Sequence, residues 1–169
     1  MNETLQAVVE YWEANKFTWE TNTDETYVEI RIFNEHGQWR LLFLPCDEPE
    51  RLMVLSVLPL RVPKVRRRAV AEFITRLNHN LIEGSFDLNF DDGELRYRDC
   101  ILIDDGKPTA DQLDKIAGNS YRTFSQHLPV ILSVAFGRMS PEKAMKVGEQ
   151  IVPEKKTAKP EPNCRLELN

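Results

Sequence analysis

The apolar positions of the chain change period from one segment to the next, and those changes predict its elements. Leu5, Val8, Val9 and Trp12 recur at i, i+3, i+4 and i+7, which predicts a first amphipathic helix closing near Asn15. Val28, Ile30 and Ile32 then alternate with Glu29, Arg31 and Phe33, and Asn34-Glu35-His36-Gly37 turns the chain into Trp39, Leu41 and Phe43, a hairpin. After a turn at Asp47-Glu48-Pro49, LMVLSVL over residues 52–58 has Ser56 as its sole polar residue, the pattern of a strand in the interior of a sheet.

Pro63 suits the first turn of a second helix, in which Val65, Ala69, Val70, Phe73, Ile74, Leu77 and Leu81 keep the helical period, with Gly84 placed as the left-handed residue that ends it. Phe86, Leu88 and Phe90, then Leu95 and Tyr97, alternate with polar residues around Asp92-Gly93, a pair typical of a two-residue turn. That turn would set Phe90 opposite Leu95 and Leu88 opposite Tyr97, with Asn89 facing Arg96 and Asp87 facing Arg98. The carboxylates of this stretch therefore read as cross-strand partners on a solvated face, not as a catalytic pair in a cleft. The strand runs on through residues 100–103 to a turn at 104–108, after which Thr109 and Gln112 fit a capping box. Leu113, Ile116, Ala117, Phe124, Leu128, Ile131, Leu132 and Ala135 form the stripe of a last long helix, with a kink or break expected at Pro129 and an end at Gly137. Ser140-Pro141 can start one more short helix through Val152.

These elements predict an α+β fold, an antiparallel sheet of about five strands packed against helices in the order α-β-β-β-α-β-β-α. The chain resembles the YbjN-type domain family of bacterial proteins labelled sensory transduction regulators, whose fold is similar to that of type III secretion chaperones. The resemblance is carried by Phe17 and Trp19, by the strand GQWRLLFLP, and by Leu58-Pro59, Val62-Pro63, Arg67, Asn78, Gly84, Phe86, Asp92-Gly93, Tyr97 and Arg98 in order and spacing. It covers roughly residues 3–137; with the rest of the sequence this gives a domain over residues 1–138, a candidate short helix at 139–152 and a tail at 153–169 expected to be disordered. The tail is charged, contains proline and lacks apolar residues until its end. The resemblance also implies no catalytic centre, a role in binding another protein, and a homodimer.

Composition narrows the function classes. A chain of 169 residues with 41% apolar content supports one core, and a net charge of −5 with pI near 5.3 gives no whole-chain attraction to nucleic acid or anionic lipid. No basic segment followed by an apolar run opens the sequence, and no run of about 18 uncharged apolar residues occurs, so neither signal peptide nor membrane span is expected and the cytoplasm is the expected location. Cys46, Cys100 and Cys164 lack zinc spacing, and His36, His79 and His127 lie far apart, so no metal and no cofactor are expected. Ser56 lacks a nucleophile elbow, and no phosphate-binding or dinucleotide motif is present.

Two groups of residues remain as candidate binding positions. Arg61, Lys64, Arg66, Arg67 and Arg68 crowd the start of the second helix, where cations oppose the helix dipole. They read either as paired with carboxylates such as Glu72 or as a patch for an anion, an acidic partner protein or, less readily without interleaved aromatics, nucleic acid. Phe33, Leu42 and Leu44 alternate onto the face opposite Ile32 and Leu41 and are candidates for holding a client polypeptide. Asn78, a poor helix-interior residue, is expected to brace the loop at Gly84 or a strand end. The resulting expectation is a non-catalytic protein-binding regulator; the competing classes are a nucleic-acid- or anion-binding regulator and an enzyme with a scattered site.

Overall fold

The computed structural model describes residues 1–47, 50–103 and 106–151. Helix α1 (Glu3–Ala14) is capped by Asn2, whose side chain accepts from the Leu5 N–H, and strands β1 (Glu20–Thr21), β2 (Val28–Asn34), β3 (Gly37–Asp47) and β4 (Glu50–Val57) follow. A single 3₁₀ turn at Lys64–Arg66 leads into α2 (Arg67–Asn78), then come β5 (Ser85–Leu88), β6 (Leu95–Leu102), α3 (Ala110–Ala135) and α4 (Pro141–Ile151). The strands form one antiparallel sheet in the order β1-β2-β3-β4-β6-β5, with β4 in its interior as its apolar run requires. This is the expected α+β architecture with one strand more: β1 has too few residues to show alternation and is held by tertiary bonds, Thr21 Oγ1 donating to the Tyr27 carbonyl and Glu20 accepting from Arg31.

Helices α1, α2 and α3 pack on one face of the sheet, and α4 packs on α2 and α3. Strand residues Val28, Ile30, Ile32, Trp39, Leu41, Phe43, Leu52 and Val54 point inward and are buried with Trp12, Phe73, Phe124 and Leu128 from the helices. Helix α4 belongs to the same core, since Ala144 is buried in it.

Five local expectations are corrected. The β5–β6 register is shifted by two residues, with Phe86 opposite Tyr97, Asp87 opposite Arg96 and Leu88 opposite Leu95. The Asp92-Gly93 pair does not make a two-residue turn, because the chain bends through a longer loop in which Asn89 and Asp92 side chains accept from the Asp91 and Glu94 N–H groups. A shift of two keeps every residue on its expected face, yet puts Phe90 in solvent. Helix α2 ends at Asn78 rather than running toward Gly84; Gly84, at φ +64°, instead lies under Tyr97, whose hydroxyl would clash with any Cβ there. Helix α3 passes Pro129 without a break, and its Thr109–Gln112 capping box is present. Glu72 pairs with Arg76 at 2.7 Å, not with Arg68. The expected tail at 153–169 and the turn residues Glu48, Pro49, Asp104 and Asp105 lie outside the described residues.

Candidate functional site: the open face of the sheet

Strand alternation gives the sheet a second face, and no described helix covers it. On β3 that face carries Arg40, Leu42 and Leu44, on β4 Met53, Leu55 and Val57, and the register sets Leu42 opposite Leu55, Leu44 opposite Met53 and Arg40 opposite Val57. Leu42, Leu55 and Val57 form a small apolar cluster of their own, with Tyr27, Leu44 and Met53 packed around it. Leu42 is only 9% exposed although no described element is layered above it, so its neighbours within the sheet bury it. Phe33 stands apart, 44% exposed toward the turn end of β2 opposite Gln38. Thus Leu42 and Leu44 sit in the strip, and Phe33 on the same face beyond it.

Arginines flank the strip on both sides. Toward β2, Arg40 and Arg31 reach Glu29 at 3.4 and 3.7 Å, and Arg31 also reaches Glu20 at 2.7 Å. Toward β5, Arg96 and Arg98 share Asp87 at 3.4 and 3.2 Å. Arg51 lies on the same face, opposite Cys46 and Leu102. Cations on this face therefore outnumber its carboxylates; Glu29 is buried beside its two arginines, whereas the Arg31–Glu20 and Asp87 pairs are partly or fully solvent-exposed ones of the kind worth only about 0–1 kcal/mol each. Such a surface offers apolar area framed by guanidinium groups, which recognise carboxylates in planar, bidentate geometry. Among its described residues there is no activated nucleophile and no acid–base pair.

The basic helix start is arranged differently. Arg61 pairs with Glu94 at 2.6 Å and Asp92 at 3.7 Å. Arg66 donates to the Val134 and Met139 carbonyls at 2.8 and 2.9 Å, satisfying backbone acceptors at the end of α3. Arg67 donates to the carbonyls of Phe90 and Asp91 at 2.6 and 3.1 Å and to that of Val62 at 3.2 Å, so it ties the β5–β6 loop to the start of α2. Lys64 and Arg68 are exposed and have no ion-pair partner among the described residues. No group of three His, Cys, Asp or Glu side chains able to hold a metal occurs among the described residues.

Tyr27, Met53, Leu55 and Val57 were not singled out by the sequence reading, which took residues 52–58 as uniformly interior. Their parity relative to Leu42 was the available signal, because the strand is apolar on both faces and alternation is silent there.

A family model described as "Putative bacterial sensory transduction regulator" matches residues 4–133. The chain belongs to the YbjN family. The YbjN match takes in every strand, hence the whole open face, and stops before α4. Among curated proteins none matches the chain in sequence. Among solved structures, YbjN from E. coli, described as "a putative transcription regulator", is similar with a TM-score of 0.57 at 11% identity, over 74% of this chain and 88% of that one. That likeness is one of fold. No described helix is long and apolar enough to cross a membrane.

Proposed function

We propose that this YbjN-family chain is a non-catalytic, cytoplasmic regulator that binds another polypeptide on the open face of its sheet and works as a homodimer. The observation that carries this reading is the apolar strip of Tyr27, Leu42, Leu44, Met53, Leu55 and Val57 on a face left uncovered by the described helices. Covering such a strip yields roughly 25 cal/mol per Å² of apolar area removed from water. The flanking Arg31, Arg40, Arg96 and Arg98 favour a partner segment that carries acidic residues beside its apolar ones. The family's description as a regulator supports a binding role over a catalytic one.

The test compares tagged full-length chains as bait: the natural sequence, Leu44→Glu with Met53→Glu, and Lys64→Ala with Arg68→Ala. One stoichiometric polypeptide should be captured by the first and third, and bound about tenfold or more weakly by the second, a loss of at least about 1.4 kcal/mol. Equal capture by the Leu44/Met53 variant removes the open face from consideration. Loss by the Lys64/Arg68 variant moves the docking surface to the helix start.

A further inference from the structure

Helices α2, α3 and α4 leave between them a cleft of about 340 Å³, at the small end of the roughly 300–1,000 Å³ that small-molecule sites span. Phe73 and Leu77 of α2 and Met145 and Gly148 of α4 give it apolar walls, and Thr123, Gln126 and His127 of α3 with Asn80 beyond α2 are polar groups on it; among the described residues no Lys, Arg, Asp or Glu lines it. The cleft is formed in part by α4, which lies beyond the residues that match the family.

His127 fixes the chemistry. Its Nδ1 lies 2.8 Å from the Thr123 carbonyl, which can only accept, so Nδ1 carries the hydrogen. An edge contact with Phe86, centroids 5.8 Å apart, holds the ring. Burial lowers the imidazole pKa, so near neutral pH the ring is uncharged and Nε2 presents a lone pair that no described residue occupies. Gly148 adds a second, independent observation. Its φ is ordinary, a Cβ there would meet nothing within 4 Å, and a glycine inside a helix costs about 1 kcal/mol against alanine. No packing contact with a described residue calls for glycine at that position; its missing side chain leaves the α4 wall of the cleft bare.

We propose that this cleft binds an uncharged, largely apolar small molecule that donates a hydrogen bond to Nε2 of His127. The probe is N-phenyl-1-naphthylamine, an uncharged aromatic amine with one N–H whose fluorescence rises in apolar surroundings, titrated into the full-length chain. The natural sequence should give saturable, equimolar binding. Gly148→Leu, which fills the cleft from a position where nothing clashes and replaces a poor helix former, should melt no lower and bind about tenfold or more weakly. His127→Phe, which keeps the apolar wall and removes the acceptor, should also weaken binding, while Leu44→Glu with Met53→Glu should leave it unchanged. Absence of saturable binding, unchanged binding by Gly148→Leu or His127→Phe, or loss in the Leu44/Met53 variant would each overturn the proposal.

Discussion

Single side chains in this molecule hold backbone that secondary structure leaves unpaired. Asn78, the last residue of α2, donates to the Phe86 carbonyl at 2.9 Å and accepts from the Phe86 N–H at 2.8 Å, so one amide closes the link from α2 to β5. Asn78→Ala would strand both backbone groups, at a cost of about 1–3 kcal/mol, and thermal unfolding should show a clearly lower Tm; an unchanged Tm would count against the bracing role. Tyr97 does similar work from β6. Burial pushes its hydroxyl pKa up to about 12, and the neutral hydroxyl donates to the Glu83 carbonyl at 2.8 Å while accepting from Asn119 at 3.2 Å. His127 links this scale to pH. Its imidazole, lowered by burial from the ordinary 6.5, stays neutral in the fold at pH values where the unfolded chain already takes up a proton. Its contribution is therefore full above about pH 6.5 and falls as pH drops through that value toward the folded pKa. The stability advantage of the natural chain over His127→Phe should narrow between about pH 7.5 and 5.5 in denaturant titrations; a constant difference would mean that the ring protonates as freely folded as unfolded.

At the scale of elements, the basic start of α2 divides into two kinds of cation. Arg66 and Arg67 are spent on backbone carbonyls of α3, its following loop and the β5–β6 loop, so Arg66→Ala or Arg67→Ala should each lower stability by about 1–3 kcal/mol. Lys64→Ala and Arg68→Ala should lie within about 0.5 kcal/mol of the natural chain. Chemical denaturation of the four variants separates the two sets, and equal effects across them would refute the division. The same segment shows where local pattern was a good guide and where it failed. Alternation placed β2, β3 and β6 and the inward side of each, because burial on one face imposes that period directly. It could not place β1, held by Arg31 and Thr21, nor the β5–β6 register, where Asx bonds and the grip of Arg67 outweigh the preference of Asp92-Gly93 for a tight turn. Leu81 extends the helical period past the point where α2 stops, since Asn78 turns its amide to β5. Of the open face, Phe33, Leu42 and Leu44 were legible from β2 and β3, whereas the share of β4 was masked by its two apolar faces. The cleft was not legible at all, because it lies where three mutually packed helices leave a gap, and the period of each helix says nothing about how they pack together.

On the scale of the whole molecule, the sheet and the described helices are one layer short of a sandwich. Two copies stacked through their open faces would bury both apolar strips, yet would bring Arg31, Arg40, Arg96 and Arg98 of one against the same residues of the other. Like charges so placed disfavour self-stacking and leave the face to a different, more acidic occupant. The proposed homodimer then uses another surface, and light scattering should give the same mass for the natural chain and for Leu44→Glu with Met53→Glu; dissociation in the variant would show that the face pairs with itself.

The position of α4 also separates inheritance from folding. The family pattern stops at residue 133, but Ala144 is seated in the common core. A chain cut where the family pattern ends would lose that helix and wet Phe73 and Leu77, and proteases should find it far easier to digest than the intact molecule. For any transplantation or fusion of this fold, the smallest portable unit is accordingly set by its packing and extends through α4.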